Sequence, residues 1–377
     1  MKVLISSSRF PWPPYTGDRL RAQIWIEALV EFADVTLVSP PGQLPGEERM
    51  VRHIAARRGD FAGSLLKTVR EELPLHALVS AGYRWREAIR RAESEQGPFD
   101  VSIVLLSRLH PWIPAPPPGR RTILDAIDSL TLSVEERARE ARGPMRAFWR
   151  REVEKTRTLE NQLGSLYDRV IVVNENEVSL FGPQAVAVPN GVVIEPPGSG
   201  ERDYEFGFWG RLAYFANLDA ARLLISDIWP TLRELEPSSR MILAGADAPR
   251  EIANRNGSER ITVVSPMENR SELLRRISIA LFPVRYGTGQ SNKILEAAEA
   301  GCAIIATPAA MRGLDHLAEA AIVEPDIGKF AGIASRLLRD PGRIDVMRIA
   351  GRETVERHYS REATAERLRN LVFGESQ

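Results

Sequence analysis

The chain has one cysteine, Cys302, among its 377 residues, so no disulfide can form within it and no cysteine-based metal site can be assembled. Cys302 stands at the head of an apolar run and reads as a small buried hydrophobe rather than a nucleophile. Histidine is also sparse: His53, His76, His110, His316 and His358 include no pair at metal-ligand spacing, and no metal is expected. An excess of either charge is missing, with 50 basic side chains against 50 acidic ones. That balance argues against a nucleic-acid binder working through a broad phosphate-contacting surface. Long apolar stretches are absent too. Nothing approaches the ~20 consecutive residues that span a bilayer, and Met1 to Ile5 is too short for the apolar part of a signal peptide. The expectation is a cytoplasmic protein. Among the cations lysine is rare, limited to Lys2, Lys67, Lys155, Lys293 and Lys329.

What is present is a repeated alternation of short apolar strands with helical spacing, in a chain long enough for two domains of roughly 150–200 residues. Strands are expected at residues 2–6, 35–38, 99–106, 121–127 and 168–173 of the first half. In the second half they are expected at 204–209, 241–245, 261–264, 279–282, 303–306 and 321–323. Helices are expected at 18–32, 48–58, 84–92, 130–141, 145–167, 217–235, 292–300, 344–358 and 361–372. This order implies doubly wound parallel sheets, an α/β class. A Pro-, Gly- and Ser-rich stretch from Val188 to Gly200 marks a linker. The expected division is residues 1–188, a linker at 189–200, a second domain at 201–358, and a terminal helix at 359–377.

In parallel sheets, ligands sit outside the carboxyl ends of the strands, where a helix N-terminus favours an anion. The stretch after residues 279–282 suits that role: Gly287 and Gly289 let backbone approach a phosphate, Arg285 and Lys293 flank it, and Glu296 follows one helical turn on. The loop after the first strand, Ser8 to Arg19, is rigid and Pro-rich through Trp12, Pro13, Pro14 and Tyr15, and lies at the carboxyl end where a site is expected. No Gly-x-Gly-x-x-Gly fingerprint follows that strand, which argues against a nicotinamide or flavin enzyme. Asp125 and Asp128 fall at or beyond the end of the strand at 121–127. Asp128 is expected to cap the next helix. The helix at 145–167 carries Arg146, Phe148, Trp149, Arg150 and Arg151, a pattern suited either to an anionic membrane surface or to a solvated helix with its rings in the core.

Arg285, Gly287, Gly289, Lys293, Leu295-Glu296-Ala297 and Ala300-Gly301 together resemble the donor-site motif of retaining GT-B glycosyltransferases of the family 4 type (glycosyl transferases group 1). The loop ending in Gly17, the Pro189-Asn190-Gly191-Val192 element and the Gly210-Arg211 pair are similar to elements of the same family. The resemblance implies a GT-B architecture of two Rossmann-like domains facing a cleft, the acceptor held by the first and a nucleotide sugar by the second. Glu296 would hold the ribose hydroxyls. Arg211, Lys293 and the Gly287–Gly289 turn would stabilise the departing diphosphate. Gly17 would face the donor diphosphate or the acceptor, His110 the reacting centre, and Tyr15, Asp18 and Asp125 would bind the acceptor, with the Pro-rich loop around Tyr15 shaping its site. Two departures stand out: Thr288 occupies the place of a first glutamate that many members carry, and Asp18 that of a second glycine.

The implied reaction is transfer of a sugar, with retention, from a UDP-, GDP- or dTDP-sugar to a hydroxyl of a saccharide, a lipid-linked saccharide or a small natural product. No further cofactor, no metal and no nucleic acid enters, and a peripheral contact with the inner face of a membrane is consistent with it. Two other readings stay open: a sugar-nucleotide epimerase of the same layout, and a non-catalytic partner that binds nucleotide sugars.

Overall fold

The computed structural model describes all residues but 15, 47–50, 198–200, 288 and 375–377, and all described side chains but that of residue 140. The expected positions Tyr15 and Thr288 thus lie outside the described residues. The chain forms two compact units. Unit 1 is Met1–Asn190 with the C-terminal residues from Thr364, and unit 2 is Gly191–Ala363.

Unit 1 is built on seven parallel strands, β1 (Lys2–Ser7), β2 (Asp34–Ser39), β3 (Val51–Ala55), β4 (Val101–Leu105), β5 (Arg121–Ile127), β6 (Arg169–Val172) and β7 (Ala185–Ala187), in the order β3-β2-β1-β4-β5-β6-β7. Strands covered on both faces read as unbroken apolar runs, and Val3, Leu4 and Ile5 are fully buried. The C-terminal helix Arg361–Phe373 contributes Leu368 and Val372 to this core, and Arg121 Nη1 donates to the Val372 carbonyl at 3.3 Å.

Two expectations are corrected here. The charged stretch 48–58 was expected to be helical, but Val51–Ala55 is an edge strand, in register with β2 from Val35 opposite Val51 to Ser39 opposite Ala55. Its buried Val51 and Ile54 flank an exposed Arg52, so burial decides where charge count misleads. The helix Leu130–Glu140 is capped by Ser129, whose Oγ accepts from the Leu132 N–H at 3.5 Å, not by Asp128. The buried Glu160 carboxylate accepts from the N–H groups of Leu130 (2.7 Å) and Thr131 (3.2 Å). Those N–H groups would otherwise lack intrahelical partners, and a remote acid meeting them cannot be read from local sequence.

Unit 2 carries six parallel strands, β8 (Tyr204–Trp209), β9 (Met241–Ala244), β10 (Ile261–Val264), β11 (Ile277–Phe282), β12 (Ala303–Ala306) and β13 (Ala321–Val323), in the order β10-β9-β8-β11-β12-β13. Its core stacks Trp209 edge-on against Phe282 at 5.1 Å, with Phe206, Phe208 and Trp229 fully or almost fully buried nearby. The helix expected over 217–235 is Phe215–Leu223 and Trp229–Leu235 joined by a π-turn at Leu224–Ile228. The turn ends beside Pro230, which has no N–H to continue a regular ladder.

In each unit the strand order reverses once, between β1 and β4 and between β8 and β11. The crevice outside the carboxyl ends at such a reversal is where an open α/β sheet receives ligands.

Candidate functional site

In unit 2 the reversal lies beside the stretch that the sequence marks out. Strand β8 ends in Gly210 (φ +144°) and β9 in Gly245 (φ +148°). The two backbones touch so closely that a Cβ on Gly245 would lie 1.6 Å from the Gly210 carbonyl oxygen. A Cβ on Gly210 would lie 2.8 Å from Asn217 Nδ2 and 3.1 Å from Lys293 Cδ. Gly245 thereby admits the backbone of Gly210, and Gly210 leaves room for the side chains of Asn217 and Lys293. Gly245→Ala is expected to lower the stability of unit 2 by more than about 3 kcal/mol, since a strained φ and a backbone clash add. Urea denaturation followed by circular dichroism measures the loss.

Lys293 is the second residue of helix Asn292–Glu299. Its Nζ donates to Asn217 Oδ1 and lies 5.8 Å from the centre of the Phe208 ring. Asn217 Nδ2 in turn donates to the Arg211 carbonyl at 2.9 Å, fixing which amide atom faces the lysine. Burial pulls the Lys293 ammonium down to about 8, against a smaller opposing pull from Glu296. A cavity of about 220 Å³ opens here, lined among others by Asn217, Tyr286, Gly287, Gly289, Asn292 and Lys293. Gly287 (φ +145°) and Gly289 (φ +75°) hold backbone conformations that side-chain-bearing residues rarely adopt. A helix N-terminus, two glycines and a buried ammonium surround one small cavity, an arrangement whose chemistry suits an anion.

The other expected donor residues of this unit, Glu296, Arg211 and Arg285, do not line this cavity. Glu296 is held from two sides, accepting from Trp209 Nε1 at 3.0 Å and Arg270 Nη1 at 2.7 Å. Arg211 pairs with Asp247 at 2.7 Å, its side chain 71% exposed. Arg285 forks onto Asp219, with Nε donating at 2.9 Å, and lies over the Tyr286 ring. That carboxylate raises the Arg285 guanidinium above its usual range. Pairs with such exposure are each worth about 0–1 kcal/mol, so either arginine is cheaply released to a stronger anion. Sequence reasoning missed Asn217, Trp209, Arg270 and Arg312. The last donates to the Gly287 carbonyl and thus supports the turn. Each comes from a different strand, helix or loop, and no local pattern announces it.

In unit 1, Gly17 opens the helix Gly17–Leu29 with an exposed backbone. Asp18 beside it is clamped: it accepts from Thr16 Oγ1 at 2.5 Å, pairs with Arg108 at 3.2 Å and with Arg9 at 3.4 Å. This clamp joins the loop after β1 to the loop after β4. Asp125, expected at the acceptor, is instead sealed in the core. Its side chain is fully buried and accepts from Arg21 Nε and Trp25 Nε1, both at 2.6 Å, and from the Ile127 N–H at 3.2 Å. A carboxylate so enclosed offers no surface to an acceptor. His110 faces the core as well: Nδ1 lies 2.8 Å from the Tyr167 hydroxyl, and burial, with the nearby Lys67, pulls the imidazole down to about 4. It is neutral at physiological pH, and the structure gives it a packing partner. Strain sits at the same strand ends, where Leu106 (φ +76°) follows β4 and Ile127 (φ +66°) ends β5. For a β-branched residue that conformation is an outlier.

Among the described residues, no group of three or more His, Cys, Asp or Glu side chains is placed to hold a metal ion. Nor is any described helix long and apolar enough to cross a membrane.

Residues 203–340 match the family model described as Glycosyl transferases group 1. No curated protein matches the sequence. Among solved structures the fold is similar to sucrose-phosphate synthase from Thermosynechococcus elongatus, with TM-score 0.72 and 15% identity over 98% of this chain and 97% of that one. It is similar to WaaG, a glycosyltransferase involved in lipopolysaccharide biosynthesis, with TM-score 0.66 and 15% identity over 99% of this chain and 100% of that one. It is also similar to Anabaena HepE in complex with UDP and glucose, with TM-score 0.68 and 13% identity over 99% of each chain. At such identities the structural likeness carries the fold alone, and the likeness to the family is confined to residues 203–340. The chain accordingly has a GT-B fold, and residues 203–340 of its second unit are similar to the glycosyl transferases group 1 family.

Proposed function

We propose that the protein moves a sugar, with retention of configuration, from a nucleoside-diphosphate sugar to a hydroxyl acceptor. The observation that carries this reading is the buried Lys293 ammonium at a helix N-terminus beside the Gly287–Gly289 turn. In the reaction the bond from the anomeric carbon to the diphosphate oxygen breaks, and a bond to the acceptor oxygen forms. The hydroxyl proton leaves with the diphosphate side. Charge grows on the departing diphosphate, so a cation already fixed there favours the transition state over the ground state. Arg211 and Arg285 add to it by exchanging Asp247 and Asp219 for phosphate oxygens, and Glu296, oriented by Trp209 and Arg270, takes the ribose hydroxyls. Unit 1 is assigned the acceptor, with Gly17 and the loop clamped by Asp18 nearest to it, and the strained ends of β4 and β5 support that assignment.

UDP heads the list of donors because HepE, alike in fold, is bound to UDP. The test is thermal stability against UDP, GDP, dTDP, ADP, CMP and NAD. A ligand at 100 times its dissociation constant adds about 2.7 kcal/mol to the folded state. Stabilisation by one nucleoside diphosphate is expected. A shift with NAD alone, or with none, sinks the reading. NMR of the product with the matching sugar nucleotide then reports the anomeric configuration. Conversion of the donor without an acceptor would instead indicate an epimerase.

A further inference from the structure

Helix Phe61–Arg70 of unit 1 is mounted with its polar side inward. Thr68 is buried with its hydroxyl on the Ser64 carbonyl at 2.9 Å. Lys67 Nζ reaches the Pro111 carbonyl at 2.6 Å and lies over the Trp112 ring. The apolar side chains point out: Phe61, Leu65, Leu66 and Val69 are all exposed, Leu66 at 70% and Val69 at 69%. Leu75 and Val79, in the next 3₁₀ turn, are exposed as well. A surface helix of a globular protein does the reverse, and a contiguous exposed apolar face marks a binding surface.

The chemistry around this face names its partner. A cavity of about 860 Å³ beside Gly63 and Leu66 is lined by Lys67, Arg70, Arg84, Arg86 and Arg90, opposed by Glu71 and Glu87. At the end of the same helix Glu72 pairs with Arg151 at 2.9 Å. That contact brings in the first turns of helix Pro144–Leu166, where Met145 and Phe148 are exposed among Arg146, Arg150 and Arg151. Trp149 of that helix is not part of the surface. It packs on Val134, Ala138 and Val153, under Arg137. Apolar side chains with a cationic rim fit an interface of acyl chains and anionic headgroups. A second copy of the chain would set arginine against arginine, which opposes self-association through this face.

We propose that unit 1 docks on an anionic lipid surface through helix Phe61–Arg70, its apolar side chains entering the headgroup boundary and the neighbouring arginines binding lipid phosphates. The surface involves none of the residues assigned to the donor, so it stands or falls separately from the transfer reaction. The test is sedimentation of the full chain with vesicles of phosphatidylcholine alone and with phosphatidylglycerol added. Binding is expected only to the second, and to weaken with salt. The double variant Leu66→Glu, Val69→Glu is expected to bind at least about tenfold more weakly, and Arg84→Gln or Arg86→Gln about fivefold more weakly each. All should keep the parent's stabilisation by nucleoside diphosphate, which shows that they fold. Equal binding by parent and double variant, or no binding to anionic vesicles, overturns the proposal. So does a parent that is dimeric by light scattering while the double variant is monomeric, since this face would then join two copies of the chain.

Discussion

Lys293→Ala is expected to lower kcat/KM for glycosyl transfer by about 100- to 1,000-fold, the usual cost of removing one preorganised partner of a developing charge. Steady-state kinetics measures this, and calorimetric titration of UDP measures the accompanying loss of ground-state affinity. The parent carries a pH signature that the variant lacks. With the ammonium near 8, the free site is charged below that pH and attracts diphosphate. As pH rises past about 8 the lysine becomes neutral, and affinity should fall. Stability moves the other way. The folded-state value lies below the unfolded one of about 10.5, so the fold binds fewer protons between the two, and stability rises with pH from about 8 toward 10.5. A site that binds more weakly as the protein becomes more stable is the combined expectation for a lysine held charged for its ligand. A parent whose UDP affinity is flat from pH 7 to 9, and equal to that of Lys293→Ala, would remove Lys293 from the donor site.

The second large effect is on unit 1. Arg21 and Asp125 are each without exposed side-chain surface and are joined at 2.6 Å. Arg21 Nη1 also donates to the Pro189 carbonyl at 3.2 Å. Asp125→Ala would leave the guanidinium buried without its counter-charge and the Trp25 indole N–H without its acceptor. Breaking such a pair from one side costs about 3–5 kcal/mol, a large share of the 5–15 kcal/mol that holds a domain folded. Urea denaturation, read by circular dichroism, is expected to show the loss. If Asp125 were an acceptor residue, the variant would keep its stability and change only KM for the acceptor. The two outcomes separate a structural carboxylate from a substrate-binding one.

Much of the molecule follows from the chain itself. The parallel strands were legible because a strand buried on both faces is largely apolar, as residues 279–282 and Ala303–Ala306 are, and the helices between them because their apolar positions recur with helical period. The donor stretch was legible for a different reason: glycines at 287 and 289 and a lysine four residues after the second one constrain backbone and charge locally, within a single strand-loop-helix segment. Edge strands were harder. Val51–Ala55 is covered on fewer sides and carries charge, so its composition reads as helix until its partner, β2, is known.

The tertiary structure alone decided which way side chains face. Residue 18 sits in the first turn of a helix, residue 110 in the 3₁₀ turn after β4, and residues 125 and 128 near and just beyond the end of β5, where periodicity says little of direction. Asp125 turns inward because Arg21 and Trp25, over 95 residues earlier in the chain, supply its hydrogen bonds. His110 turns inward to Tyr167. Asp18 is taken by two arginines, one of them from another strand's loop. The same holds in unit 2, where Asn217 reaches Lys293 across 76 residues. Sequence determines what each short segment must become, since local backbone preference and burial period act over a few residues. Which distant group satisfies a given charge is fixed only when the sheet has brought the strand ends together.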